Sequence, residues 1–223
     1  PGWKYVLPTE AQWEYACRAG TTTAYSWGND INSTLANYLA SGVGGTTEIG
    51  QYAPNPWGFY DMHGNVWEWV YDWIGSYPSG SVIDPVGNTV PGGAPSNQMR
   101  VSRGGNFVES PAALRSAERG ATNPWRRYND RGFRLAYINT GEYSVALNST
   151  VDLEMIWVEP GTFTMGSPTT AEYITFPDET EHNVTLTKGF YLGKYEVTQA
   201  QYEAVMTGNT DGLSATPSNW LGN

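Results

Sequence analysis

Trp57-Gly58-Phe59-Tyr60-Asp61-Met62-His63-Gly64-Asn65-Val66-Trp67-Glu68-Trp69-Val70-Tyr71-Asp72-Trp73 is the stretch on which the fold turns. From Val66 onward its large aromatics fall on alternate residues, the period of a β-strand, which sets Glu68 on the face away from Trp67 and Trp69. Upstream, Thr9-Glu10-Ala11-Gln12 has the pattern of a helix capping box, with Trp13, Ala16 and Cys17 on one helical face and Gly20 as the stop. Cys17 is therefore expected to pack as a small apolar group. Downstream, Arg131 to Ile138 alternates Phe133, Leu135 and Tyr137 on one side of a strand. Met155 to Met165 reads as a hairpin turned at Glu159-Pro160-Gly161-Thr162, and Phe190 to Val197 as a strand. A second box, Thr198-Gln199-Ala200-Gln201, opens a helix with Tyr202, Val205 and Met206 inward and Gly208 at its end; Val197 and Tyr202 stand at hydrophobic-staple positions. Residues 139–151 are polar, small and without period, and read as a connector between 1–138 and 152–223.

Hydrophobic residues make up 39% of the 223 positions and aromatics 14%, enough apolar material for a core in one large domain or two small ones. Twenty-six Gly and 14 Pro favour turns and irregular connections over long helices. No apolar run approaches the roughly 20 residues of a membrane span, so no span is expected. The chain opens at Pro1 with neither Met nor a leader pattern and is expected to be a piece of something longer. A formal charge of −10 argues against nucleic-acid phosphates as partners. Eight of the 12 basic residues are arginines between Arg100 and Arg134, opposed there only by Glu109, Glu118 and Asp130. These arginines either pair with acids and stack on aromatics within the fold, or form a surface that recognises anions. A single cysteine excludes an internal disulfide, and His63 and His182 alone leave zinc without a ligand set.

Several ordered blocks resemble one family, that of the formylglycine-generating enzyme, or sulfatase-modifying factor. Leu7-Pro8-Thr9-Glu10-Ala11-Gln12-Trp13-Glu14-Tyr15-Ala16 is similar to its signature helix, and Trp57 to Trp69 to its second block. Arg103-Gly104-Gly105-Asn106-Phe107 with Leu114-Arg115-Ser116-Ala117, then Gly132-Phe133-Arg134-Leu135, resemble its third block and terminal strand. Phe163-Thr164-Met165-Gly166, His182 to Leu186 and Tyr195 to Tyr202 resemble its opening blocks, yet here they follow the others. A helix-bearing stretch between the family's halves has no counterpart. The chain thus reads either as the back of one domain joined to the front of the next in a tandem array, or as a circular permutant. The second reading predicts that 1–138 and 152–223 fold together as one globule, with a swapped dimer as its rival.

The resemblance implies an α+β, C-type-lectin-like fold with much irregular structure. Oxidases of the family hold copper with two cysteines, because soft thiolates select Cu(I). The matching positions here are Glu109 and Leu114, so no copper and no formylglycine formation are expected. Iron-dependent members use a His-rich partner domain, and two histidines cannot build that site. The resemblance places a structural calcium at Asp61, Glu68 and the carbonyls of Gly64 and Val66, a set of hard oxygens of the kind Ca²⁺ takes. A weaker second site begins at Asn37 and Tyr38. The ligand surface is expected at Asn106, Phe107, Glu109, Arg115, Glu118, Arg119, Trp125, Arg126, Tyr128 and Asn129, which mix aromatic anchors with forked donors. The same residues also suit a self-stabilised loop. A calcium-stabilised module binding a protein or a small anionic ligand is the leading expectation; a family enzyme with non-cysteine chemistry, or a structural array segment, are the others.

Overall fold

The computed structural model describes residues 5–88, 98–138, 145–148, 151–168, 179–207, 212 and 214–216. Its strands in chain order are β1 (Tyr5–Val6), β2 (Trp67–Trp73), β3 (Val82–Ile83), β4 (Arg100–Arg103), β5 (Gly120–Thr122), β6 (Arg131–Gly132), β7 (Ala136–Tyr137), β8 (Val145–Asn148), β9 (Val151–Leu153), β10 (Met155–Val158), β11 (Gly161–Met165), β12 (His182–Leu186) and β13 (Phe190–Gly193). Two helices accompany them, α1 (Glu10–Arg18) and α2 (Gln199–Met206). Short strands and few helices are what the Gly and Pro content favours, and the α+β expectation holds.

Both helices start at their capping boxes. Gln12 N donates to Thr9 Oγ1 and Thr9 N to Gln12 Oε1, and Thr198 and Gln201 repeat the exchange, so amides left over at each helix start find acceptors. Helix α1 ends through Ala19, held left-handed at φ 47° just ahead of Gly20. Its Trp13, Ala16 and Cys17 are buried in the main core with Phe59, Val70, Val101, Val184, Phe190 and Leu192. Each full-sized aliphatic or Phe side chain there contributes about 1.5–3 kcal/mol by leaving water. Helix α2 lies against β8 and β9. Val205 does not face inward: it is 58% exposed, and the buried position is Gln201, whose Nε2 donates to the Asp152 carbonyl at 2.6 Å. Gly208 lies outside the described residues.

One sheet runs β5-β4-β2-β6, a second β1-β7-β13-β10, a third β11-β12-β3, and β8 pairs with β9 alone. The second sheet takes β1 and β7 from before residue 138 and β10 and β13 from after 151; Tyr137 is registered against both Tyr5 and Tyr191. The third sets β3 parallel to β12. Three sequence expectations need correcting. Met155 to Met165 is not a hairpin, because β10 pairs with β13 and β11 with β12, so Pro160 turns a corner between sheets. Arg131 to Ile138 is two strands, β6 alongside β2 and β7 in the second sheet. The connector contains β8 at 145–148; 139–144 and 149–150 lie outside the described residues.

In β2 Glu68 lies opposite Trp67 and Trp69, as the alternation reads. Glu68, Val70 and Asp72 form a sealed face, while on the aromatic face Trp67 and Trp73 are buried, Trp69 half-buried and Tyr71 exposed. Residues 133–137 repeat this: Arg134 and Ala136 are buried and the apolar Phe133 and Leu135 only half so. Charged side chains occupy the inner face because partners meet them there: Asp72 takes the main-chain amides of Glu10 and Gly87. Glu68 meets Arg134, and Glu14 meets both Arg18 and Arg103. Glu14 also accepts from Gly166 N at 2.9 Å while Arg18 donates to Gly166 O at 2.8 Å, locking α1 to the end of β11.

Candidate functional site

The residues expected to bind a ligand separate into a buried set and an exposed one. Asn106 is sealed: its Nδ2 donates to Asp130 Oδ2 at 2.6 Å and its Oδ1 accepts from Val108 N at 2.9 Å. Phe107 is buried, and its amide donates to the Asn65 carbonyl at 3.0 Å. Glu109 is half-buried and receives the Leu39 amide on its carbonyl at 3.1 Å. Arg115 pairs with Glu118 at 2.5 Å and Glu179 at 3.4 Å. Arg119 holds Glu10 through Nε at 2.7 Å and Nη2 at 2.9 Å. Most of the arginine-rich segment is therefore internal, and the anion-recognising surface expected of it is not formed at Arg103, Arg115, Arg119 or Arg134. Burial tends to push the Glu10 carboxyl up, but Arg119 and Arg103 hold it below its ordinary value.

What reaches solvent is the 123–130 loop. Trp125 is 72% exposed, with Arg126, Arg127 and Asn129 exposed beside it and Tyr128 half-buried. The base of this loop is fixed. Asn123 Oδ1 accepts from Trp125 N at 2.9 Å, an Asx-type turn. Trp67 N donates to the Asp130 carbonyl at 2.9 Å, and the Arg131 guanidinium lies over the rings of Trp67 (5.3 Å), Tyr128 (5.4 Å) and Trp69 (5.9 Å).

Leu114, which the resemblance sets at a cysteine position of the family's oxidases, ends a short 3₁₀ turn (Pro111–Leu114) and is fully buried with Tyr25, Ala36 and Tyr38. The one cysteine lies elsewhere. Cys17 Sγ is 3.6 Å from His63 Nε2, and His63 Nδ1 donates to the Leu114 carbonyl at 2.7 Å. Burial pushes the thiol up to about 12 and the imidazole down to about 4. Both groups are thus neutral near pH 7, a packed thiol beside a packed imidazole rather than a nucleophile and its base.

At the expected calcium positions, Asp61 Oδ2 accepts from Gly50 N at 2.7 Å, and burial raises its carboxyl above the ordinary value. Gly64, at φ +92°, passes so near residue 37 that a Cβ would sit 2.3 Å from the Asn37 carbonyl oxygen; no other residue fits. Val66 is half-buried. Glu68 is already engaged. Arg134 grips both its oxygens, Nε to Oε2 at 2.6 Å and Nη2 to Oε1 at 2.5 Å, while Trp13 Nε1 donates to Oε2 at 2.7 Å. Asn37 is also committed, its Nδ2 to Gly45 O and Asn65 Oδ1 and its Oδ1 to the Ser41 hydroxyl, and the Tyr38 carbonyl takes Ser41 N. No group of three or more His, Cys, Asp or Glu among the described residues is placed to hold a metal. Asn65 and Glu196, given no role in the sequence, meet here: Asn65 Nδ2 donates to both Glu196 oxygens at 3.3 and 3.2 Å. Burial, Asp61 and Glu68 drive the Glu196 carboxyl well above its ordinary value. Only the Tyr-Glu-Val-Thr block hinted at it, as a lone acid between apolar residues.

No helix among the described residues is long and apolar enough to cross a membrane. A model of the sulfatase-modifying factor enzyme 1-like domain matches residues 3–138 and 145–221. The serine/threonine-protein kinase pkn1 of Chlamydia pneumoniae is 39% identical over 132 residues, which is 58% of this chain and 20% of that protein. The formylglycine-generating enzyme of Bos taurus is 32% identical over 148 residues, 58% of this chain and 38% of that one. Among solved structures, Treponema denticola variable protein 1 superposes with a TM-score of 0.52 at 34% identity, over 59% of this chain and 46% of that one. PvdO from Pseudomonas aeruginosa gives 0.51 at 30%, over 59% and 51%. The chain spans a fifth to two fifths of the two curated relatives' lengths. With the family model matching both long stretches of the sequence, the chain belongs to the sulfatase-modifying factor enzyme 1-like domain family.

Proposed function

We propose that this domain is a binding module on the family's fold, that it acts through the 123–130 loop, and that it does not generate formylglycine. Trp125 carries this reading. It is the most exposed large apolar side chain among the described residues, at the tip of a loop whose base is already ordered. A rigid, hydrated indole loses little entropy and sheds much apolar surface when covered, which makes it a hot-spot anchor. Arg126 and Arg127 beside it suit an acidic protein segment or a small anionic ligand. The absence of thiols at Glu109 and Leu114 removes the soft ligands that copper chemistry needs.

In this reading Arg134 performs the charge neutralisation expected of calcium at Glu68. The exchanged order of the blocks reflects two family halves that fold as one unit, an idea supported by the sheets that draw strands from both.

Selection of a random peptide library on the immobilised chain tests the binding role. Acidic peptides should be enriched, and Trp125→Ala should weaken them by roughly thirtyfold, the scale of one hot spot, with the near-ultraviolet circular dichroism unchanged. Peptides that bind Trp125→Ala equally, or no enrichment at all, sink the reading. A sulfatase-type cysteine peptide incubated with the chain and copper should keep its mass; conversion of its thiol would restore the oxidase.

A further inference from the structure

A cleft of about 280 Å³ opens at the start of α1, between the segment after β2, the 85–88 segment and β12, and no residue of the 123–130 loop lines it. It approaches the lower end of ligand-pocket sizes, roughly 300 Å³. Its polar lining comprises Glu10, Asp72, Tyr77, Asn88, Arg119 and His182, together with Ser76.

Three of these are already satisfied by one another. Arg119 spends Nε and Nη2 on Glu10 and Nη1 on the Gly75 carbonyl at 2.9 Å, and Tyr77 OH donates to Glu10 Oε1 at 3.0 Å. Asp72 is different. It is 3% exposed, and its two partners are main-chain amides, Glu10 N on Oδ2 at 2.7 Å and Gly87 N on Oδ1 at 2.6 Å. No ion pair among the described residues includes it. The lining thus holds two carboxylates and one guanidinium, and that guanidinium is hydrogen-bonded to Glu10 and not to Asp72.

Acceptor capacity is left over on two side chains of the lining. His182, nine-tenths buried, donates from Nδ1 to the Thr180 carbonyl at 3.0 Å; a carbonyl only accepts, so the ring proton sits on Nδ1. Its Nε2 keeps a lone pair with no partner among the described residues. Asn88 donates Nδ2 to the Ile74 carbonyl at 3.2 Å, which leaves Oδ1 as an acceptor. Two acceptors, His182 Nε2 and Asn88 Oδ1, thus stand beside a carboxylate that no ion pair among the described residues includes. Around them stand apolar walls from Trp73, Pro85, Val86 and Met165.

We propose that this cleft is a binding site for a small primary amine on an apolar body, with Asp72 as counter-ion to its ammonium. An ammonium brings three donors and one positive charge, which suit these acceptors and Asp72. An anion would face two carboxylates, Asp72 and Glu10, across a cleft whose one lining guanidinium already holds Glu10. Burial and Glu10 push the Asp72 carboxyl up to about 6, so the site loses its charge in mild acid. Glu10, Arg119, Tyr77 and His182 are the other titratable groups on the cleft, and Arg100, stacked 4.4 Å from the Trp73 ring centroid, adjoins it.

The test is titration of the full chain with 2-phenylethylamine near neutral pH, read from the amide resonances of Glu10 and Gly87, with 2-phenylethanol as the neutral match. The amine should shift both amides saturably and bind about tenfold or more tighter than the alcohol, the worth of a charge-assisted hydrogen bond. Asp72→Asn should erase the preference, as should lowering the pH well below 6. Val86→Trp, at the exposed rim, should block the amine and keeps the test open if Asp72→Asn does not fold. Equal binding of amine and alcohol, no saturable shift with the amine, or a preference that survives Val86→Trp or Asp72→Asn overturns the proposal.

Discussion

Replacing Arg134 with methionine keeps most of the aliphatic stem and deletes the guanidinium. That group holds both oxygens of Glu68 and also serves the carbonyls of Tyr60 and Gly193 at 3.0 Å and of Lys194 at 3.3 Å. Both partners are sealed, 0% and 1% exposed. Breaking a buried pair from one side costs about 3–5 kcal/mol because the other charge is stranded. Trp13 Nε1 still reaches Glu68 and softens the loss, while the carbonyls that lose a donor add roughly 1 kcal/mol or more. The expected loss is about 4–6 kcal/mol, a large share of the ~5–15 kcal/mol that holds a typical domain together. Urea unfolding followed by tryptophan fluorescence should show the midpoint falling by about 2 M, for a slope of roughly 2–3 kcal/mol/M. The double variant Glu68→Leu/Arg134→Met should recover at least about 2 kcal/mol, since no unpaired charge remains. A loss below about 1 kcal/mol, or a double variant no better than the single, would refute this account of the pair.

Two further outcomes follow from the same interior. Chelation of calcium should leave the melting temperature unchanged, in wild type and in Glu68→Gln alike, because Arg134 already neutralises that site; a chelator-induced drop lost in Glu68→Gln would reinstate the metal. His63 sits in the fold at about 4 against an ordinary 6.5, so the folded state binds fewer protons there. Its contribution is fully present above pH 6.5 and is lost as pH falls toward 4, about 3 kcal/mol across that window. His63→Gln should flatten that part of the stability profile relative to wild type, and parallel profiles would contradict the assignment.

The helices were legible because a capping box is local: Thr9 with Gln12, and Thr198 with Gln201, satisfy helix-start amides within four residues of chain. Which face of each strand is sealed was not, because hydrophobic alternation assumes that charge faces water. At Glu68 and Arg134 it faces the core, and only the partner 66 residues away makes that affordable. The Pro160-Gly161 turn was readable as a turn but not as a corner, since the strands that β10 and β11 pair with come later in the chain. Likewise the arginine block divided into buried pairs and the exposed Trp125 loop according to acids at Glu10, Glu14 and Glu179, which no local window contains.

The sheet that joins Tyr137 to Tyr191 also dictates when folding can finish. During synthesis β7 leaves the ribosome long before β13, and until then the β7 edge lacks that neighbour and Arg134 lacks its acceptors at residues 193 and 194. Contacts of such sequence separation slow folding, because loop closure must precede any gain from pairing. The nascent chain therefore passes through an interval with an open strand edge and a charge-laden, half-closed interior, the kind of species that chaperones hold and that aggregates when they do not.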